Sequence, residues 1–464
     1  MVQAILPQPR FPQRGMALIV FLLLIGLIGA ALVLQQMGSD AIRTARDKRT
    51  TEALSEAKAG LVGYAAKVSL MGGAARPGDL PCPDLDNDGE AELSCGNAAG
   101  STGQDLRLGR LPWKTLGLPD LRDGHGERLW YAVSNNFKNN TRTTCSAPGQ
   151  PGCLNSDSGG TITVRDRMGN ITHNGGVTSS GAVAVILSPG VAVMREDAAT
   201  VQDRSCVDCT SAGQCTTVPA SSTARCNPSN YLEVALGEDN AVFADAGTNG
   251  FIQGEIQDGD NRVILNDRIA IVSNADIFPL LEKRVAGEVA LCLKQYASNT
   301  ATSRGLFPFA ARLDVGNTVI NFSDDDEDRF GRVPDTPFSK TEDKLDTAGG
   351  DVWTAECAIS SAAGWWLNWK DIVFYGVADE YEPDDSAPSG CGSGSCLTVS
   401  PPSATANKRA VVIIAGRALP TQTRTGTGKN AITAYLELEN SDNDDDFTQA
   451  KPTATFNDRL FYIQ

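Results

Sequence analysis

Asp84-Leu85-Asp86-Asn87-Asp88-Gly89 has the clearest chemical spacing in the chain, the D-x-D-x-D-G opening of a calcium loop. Alternate carboxylates can converge on a hard cation that prefers oxygen ligands, and the glycine permits the tight turn between them. Glu92 could add a further oxygen, whereas the last position of such a loop, which calls for a bidentate glutamate, holds Cys95. Calcium at Asp84, Asp86, Asp88 and Glu92 is therefore the one cofactor expected. Two further acidic runs, Asp324 to Asp328 and Asp442 to Asp446, read as solvated loops.

Catalytic signals are sparse. There are two histidines, and Asp123, His125 and Glu127 alternate closely enough to suggest acid–base or metal chemistry. The same residues lead into an apolar stretch at Leu129 and read more simply as a turn. The chain has no G-x-S-x-G elbow, no H-E-x-x-H pair and no phosphate-cradling loop of the Walker type. No catalytic residue is assigned, and the protein is not expected to be an enzyme.

The element that would position everything else is N-terminal. Arg14-Gly15-Met16 opens an apolar run, and the residues from Met16 to Leu34 carry no charge. At about 1.5 Å per residue they could cross a hydrocarbon core of about 30 Å. This arrangement resembles the N-terminus of type IV prepilins and of type II secretion pseudopilins. The resemblance implies that a prepilin peptidase cleaves after Gly15, methylates Met16 and leaves the helix attached. It also implies other pilin or pseudopilin subunits as partners, through that helix. Most members have glutamate at the fifth mature position, where this chain has Val20. That departure points to a minor subunit at the tip, away from the bulk of the fibre.

Lys plus Arg number 40 against 56 Asp plus Glu, a net charge of −16, which disfavours general binding to nucleic acid or anionic lipid. The 12 cysteines, an even number in a chain with an export-type N-terminus, favour disulfides. The resemblance places the bulk of the chain in the periplasm, anchored by a single pass in the inner membrane and passing from there into a pilus or pseudopilus. No proline occurs between Pro12 and Pro77, so helix should continue to about Leu70, with Ala53, Leu54, Ala57, Leu61, Tyr64 and Ala65 on one apolar face.

Self-comparison reveals a repeat. GRLP at Gly109 recurs as GRVP at Gly331, LWYAV at Leu129 as VFYGV at Val373, and ITV at Ile162 as LTV at Leu397. AVAVIL at Ala182 recurs as AVVIIA at Ala410, YLEV at Tyr231 as YLEL at Tyr435, and NDRIAIV at Asn266 as NDRLFYI at Asn457. Order is kept throughout, so a tandem duplication is inferred. A second helix is expected from Ile277 to Tyr296, and Trp365, Trp366 and Trp369 are expected in the core.

Both partners of a disulfide should come and go together in the two copies. Cys82 and Cys95 lack counterparts in the second half, and Cys292 and Cys357 lack them in the first, which suggests those two bridges. Cys145 with Cys153 and Cys391 with Cys396 precede equivalent strands as small staples. Cys206, Cys209, Cys215 and Cys226 fall in an insert of the first half, and three pairings among them remain open. Their spacing could hold zinc, but a second C-x-x-C is missing.

The expected fold is α+β, with a long N-terminal transmembrane and amphipathic helix followed by two tandem helix-plus-antiparallel-sheet, pilin-like lobes stapled by disulfides. The expected parts are a leader at 1–15, a transmembrane half-helix at 16–34, its periplasmic continuation at 35–71, a first lobe at 72–272 and a second at 273–464. The expected function is that of a minor pilin or pseudopilin-like structural subunit, in assembly priming, adhesion to a surface or engagement of exported cargo. Two alternatives use the same anchor: a periplasmic enzyme, or a module that binds glycan, protein or DNA.

Overall fold

Ala, Glu, Lys and Arg dominate the stretch after Leu34, and no proline interrupts it, so one helix forms: α1, Met16–Lys67, in the computed structural model of the chain. The structure describes residues 16–67, 76–96, 104–139, 143–206, 215–217, 224–243, 249–298, 305–335, 353, 357, 359, 364–383 and 387–464, apart from 151, 178–179, 321, 323–327, 393 and 443. Ala53, Leu54, Ala57, Leu61 and Ala65 recur at helical spacing and are buried, while Tyr64 is half-buried. Each fully buried leucine contributes roughly 1.5–3 kcal/mol. Residues 40–49 are exposed, and Asp40, Arg43, Arg46, Asp47, Lys48 and Arg49 crowd this part of the helix with charge.

Among the described residues no helix is long and apolar enough to cross a membrane. This corrects the transmembrane segment expected at 16–34, and with it the single-pass placement in the inner membrane. The leader at 1–15, with Gly15, lies outside the described residues.

In each half a four-stranded antiparallel sheet is built from the recurring motifs. The first contains β1 (Leu108–Arg110), β2 (Trp130–Val133), β5 (Ala184–Ser188) and β7 (Arg268–Val272), in the order β1-β2-β5-β7. The second contains β8 (Phe330–Arg332), β9 (Val373–Val377), β12 (Ala410–Ile414) and β14 (Arg459–Ile463), in the order β8-β9-β12-β14. Register also repeats, for Gly109 lies opposite Tyr131 and Gly331 opposite Tyr375. Tyr131 donates to Pro81 O at 3.1 Å and Tyr375 to Pro308 O at 3.0 Å.

A three-stranded sheet accompanies each four-stranded one. In the first half β3 (Thr163–Arg165) pairs antiparallel with β4 (Ile171–His173) and parallel with β6 (Gly250–Ile252). In the second, β10 (Leu397–Ser400) pairs antiparallel with β11 (Ser403–Lys408) and parallel with β13 (Asp446–Thr448). The expected fold of helix plus antiparallel sheet is thereby corrected. The chain is largely β, with twenty strands in seven sheets and only two α-helices among the described residues. Parallel partners need long crossovers, and the Gly-, Asn- and Asp-rich connections provide them.

The second helix, α2 (Asn274–Ser298), packs on α1 and on β12 and β14, while α1 packs on β5 and β7. One apolar core runs through both helices and both large sheets. In β2, Tyr131 and Val133 face that core, and Trp130 and Ala132 face a second core beneath β3 and β6. A strand covered on both faces reads as a continuous apolar run, as LWYAV does. Trp365, Trp366 and Trp369 are buried in the main core.

Disulfides join Cys82–Cys95, Cys145–Cys153, Cys206–Cys226, Cys292–Cys357 and Cys391–Cys396. Cys215 lies in the short strand Cys215–Thr217, and Cys209 lies outside the described residues. The insert's cysteines are therefore not a four-thiolate zinc site, since two of them are bonded to each other.

Candidate functional site

The acidic loop hangs from the edge of the first sheet, where Asp84 and Arg110 exchange backbone hydrogen bonds at 3.0 and 2.7 Å. The Cys82–Cys95 bridge brackets it. Buried Asp84 organises the turn, its Oδ1 accepting the Asn87 N–H at 2.6 Å and its Oδ2 the Gly89 N–H at 2.8 Å. Gly89 has φ +90°, and a Cβ there would come within 2.6 Å of the Trp113 ring, so glycine is required on both counts.

Oxygens of Asp84, Asp86 and Asp88 lie within 4.8 Å of one another. That spacing suits a cation with oxygen ligands. Glu92 is not part of this cluster; its Oε1 accepts the Leu85 N–H at 3.2 Å. Burial pushes Asp84 up to about 6, outweighing the two backbone N–H groups that favour its charged form. A second cluster, Glu439, Asp444 and Asp446, has the same spacing with all three residues exposed.

His125 is exposed and lines a groove of ≈560 Å³ between α1 and the first sheet, with Arg43, Arg46, Asn266 and Arg268. Its neighbour Asp123 is fully buried, and its carboxylate is occupied by structural donors: Ser188 Oγ at 2.9 Å and the N–H groups of Gly190 at 3.0 Å, His125 at 2.8 Å and Glu127 at 3.0 Å. The alternation of Asp123, His125 and Glu127 is the geometry of a turn, and Asp123 holds that turn.

Three features escaped the sequence reading. Glu233 and Asp267 form a buried carboxyl pair with Asn240, and Glu437, Asp458 and Asn440 repeat it. A cavity of ≈670 Å³ lies where the halves meet, lined by Asp157, Asp371 and Arg424 among others, and Arg424 pairs with Asp157 at 2.9 Å. Four arginines, Arg110, Arg122, Arg128 and Arg204, line a cleft of ≈510 Å³ beside the acidic loop. YLE and NDR recur visibly and mark the carboxyl pair. The arginines, scattered over a long stretch of sequence, left no local signal.

Against known protein families, curated proteins and solved structures, the chain has no match.

Proposed function

We propose that the protein is a structural assembly subunit of the minor pilin or pseudopilin kind, joining similarly built subunits through α1 and presenting a duplicated β-rich head at the tip of the assembly. The observation that carries this reading is α1 itself. One face of its C-terminal part is buried against the head, whereas Phe21, Leu22, Ile25 and Ile42 are 62, 59, 51 and 57% exposed. Apolar side chains uncovered along a helix require a partner, and helices of neighbouring subunits are the partner that the leader-like Arg14-Gly15-Met16 implies. A head made of two copies crowds its neighbours along a thin fibre, which favours the tip. Asp123 is committed to its turn, which favours a structural role over catalysis. Calcium at Asp84, Asp86 and Asp88 would stiffen the loop at the sheet edge.

The test is co-expression with and without a prepilin peptidase, with intact-mass measurement and a photo-crosslinker placed at Leu22 or Ile25. The reading expects a chain that starts at methylated Met16 only with the peptidase, and crosslinks to another subunit's helix. An unchanged mass together with no helix-directed crosslink would overturn it.

A further inference from the structure

We propose that the cleft formed by Arg110, Arg122, Arg128 and Arg204 binds an oxyanion, a phosphate or sulfate group, either free or carried as an ester on a small polar molecule. Arg110 is the floor of this cleft. It is 5% exposed, and its guanidinium lies 4.3 Å from the centre of the Trp130 ring and 4.0 Å from that of Tyr231. Nη1 donates to Arg128 O at 2.9 Å, and buried Nε has no hydrogen-bond partner. Burial pushes its pKa down to about 10.

The surrounding charge remains positive. Asp120 alone serves two guanidiniums, Arg122 at 2.7 Å and Arg128 at 2.9 Å. Arg204 lies 3.8 Å from Glu127 and 3.5 Å from Glu233, whose carboxyl already belongs to the buried pair with Asp267. In a protein of net charge −16, the lining of this cleft holds four guanidiniums and a single carboxylate, that of Glu127, with the aspartates of the acidic loop outside it. Arginine's planar fork of donors matches the oxygens of phosphate and sulfate.

The second half of the chain supplies an internal comparison. Arg332 of GRVP answers Arg110 of GRLP and also lies by two rings, Phe374 at 5.3 Å and Tyr435 at 5.1 Å. Yet Arg332 is satisfied by the protein's own oxygens, donating to Asp371 O at 3.1 Å, Asn430 Oδ1 at 3.0 Å and Lys429 O. Counted back from the shared tyrosine, the position of Asn430 is held in the first half by Cys226, which is bonded to Cys206 and has no amide oxygen in its side chain. Counted back from the shared strand, Arg122 and Arg128 correspond to Trp366 and Ile372. One copy therefore fills the slot with neutral acceptors, while the other removes the plug and adds positive charge. A ligand that takes the plug's place must bring acceptor oxygens, and the added arginines select for negative charge.

The experiment is calorimetric titration of the full chain at constant ionic strength with inorganic phosphate, sulfate, glucose 6-phosphate and glucose, with chloride as the balancing anion. Saturable binding of phosphate or sulfate, with none of glucose, is expected. Tighter binding of glucose 6-phosphate assigns an ester, and equal affinity assigns the free ion. Arg122→Gln, at a partly exposed position and checked for folding by circular dichroism, should weaken binding about tenfold, the loss of one charge-assisted hydrogen bond. Arg110→Gln, checked for folding by circular dichroism, should abolish it, and Arg312→Gln, at an exposed position in the second half outside the cleft's lining, should leave it unchanged. Absence of saturable binding in the wild type, or wild-type affinity in Arg122→Gln, overturns the proposal. Neither result depends on whether the chain assembles through α1.

Discussion

Glu233 and Asp267 exchange backbone hydrogen bonds through their side chains: Oε2 of Glu233 accepts the Asp267 N–H at 3.1 Å, and Oδ2 of Asp267 accepts the Glu233 N–H at 2.9 Å. Glu437 and Asp458 do the same at 3.2 and 2.9 Å, and in each half an asparagine amide donates to the aspartate, Asn240 at 2.8 Å and Asn440 at 3.1 Å. The clamp fastens the YLE segment to the start of the last strand of each large sheet. Asp458→Ala would leave the Glu437 N–H and the Asn440 amide unsatisfied in a buried site. At roughly 1–3 kcal/mol for each of the two groups, urea denaturation should show a loss of about 2–6 kcal/mol, and Asp458→Asn should lose less. A loss below about 1 kcal/mol for the alanine variant would remove the clamp from the fold's supports.

The acids held in these buried sites set the sign of the pH response. Burial pushes Asp371 up to about 7, aided by the charge of Asp157 and opposed by Arg332 and Arg424, and burial pushes Asp267 up to about 6. Burial and Asp267 hold Glu233 well above the carboxylate range. Such groups bind protons more tightly folded than unfolded, so their contribution is fully present below about pH 4, the ordinary carboxyl value, and is lost as pH rises from there through 6 and 7. The melting temperature should therefore fall between pH 5 and pH 8, and Asp371→Asn should flatten that slope. A melting temperature that rises across this interval in the wild type would refute the assignment.

Recurrence made the strands legible: each of the paired motifs GRLP/GRVP, LWYAV/VFYGV, AVAVIL/AVVIIA and NDR/NDR lies at or within a strand of a large sheet. Their grouping was not legible, because β3 with β6 and β10 with β13 pair in parallel across long separations that no local pattern records. The apolar run after Gly15 reads as a membrane span from hydropathy alone, yet among the described residues no helix is long and apolar enough to cross a membrane. At the acidic loop the spacing marks Asp84, Asp86 and Asp88, which lie together, whereas Glu92 stands outside that cluster with its Oε1 accepting the Leu85 N–H. The arginine cleft depends on side chains that converge only after both the sheet and the insert have folded.

Calcium should raise the melting temperature if the three aspartates converge on it. Asp86 and Asp88 are exposed, so Asp86→Asn with Asp88→Asn should leave the calcium-free melting temperature nearly unchanged and abolish the calcium response. Asp84→Asn differs, because both oxygens of Asp84 already accept backbone N–H groups, and one lost acceptor costs about 1–3 kcal/mol even without calcium. A calcium response that survives in the double variant would place the ion elsewhere.

Gly124 lies where α1 meets the first half. Its N–H donates to Thr50 Oγ1 at 2.9 Å, and a Cβ built on it would lie 2.3 Å from Arg46 O, an atom of helix backbone that no rotamer change can move. Gly124→Ala must therefore push the helix away from the turn or distort the turn that Asp123 holds, and overpacking of this kind typically costs about 1–3 kcal/mol. If the helix yields, hydrogen exchange should accelerate between Arg46 and Leu54 while β2 and β5 stay protected. If the turn yields instead, protection should fall around Asp123 and Ser188, with α1 unaffected. Wild-type exchange in both regions would mean that the helix does not rest on this turn, and the docking of α1 would then rest on its apolar face, Ala53, Leu54, Ala57, Leu61 and Ala65, and on α2.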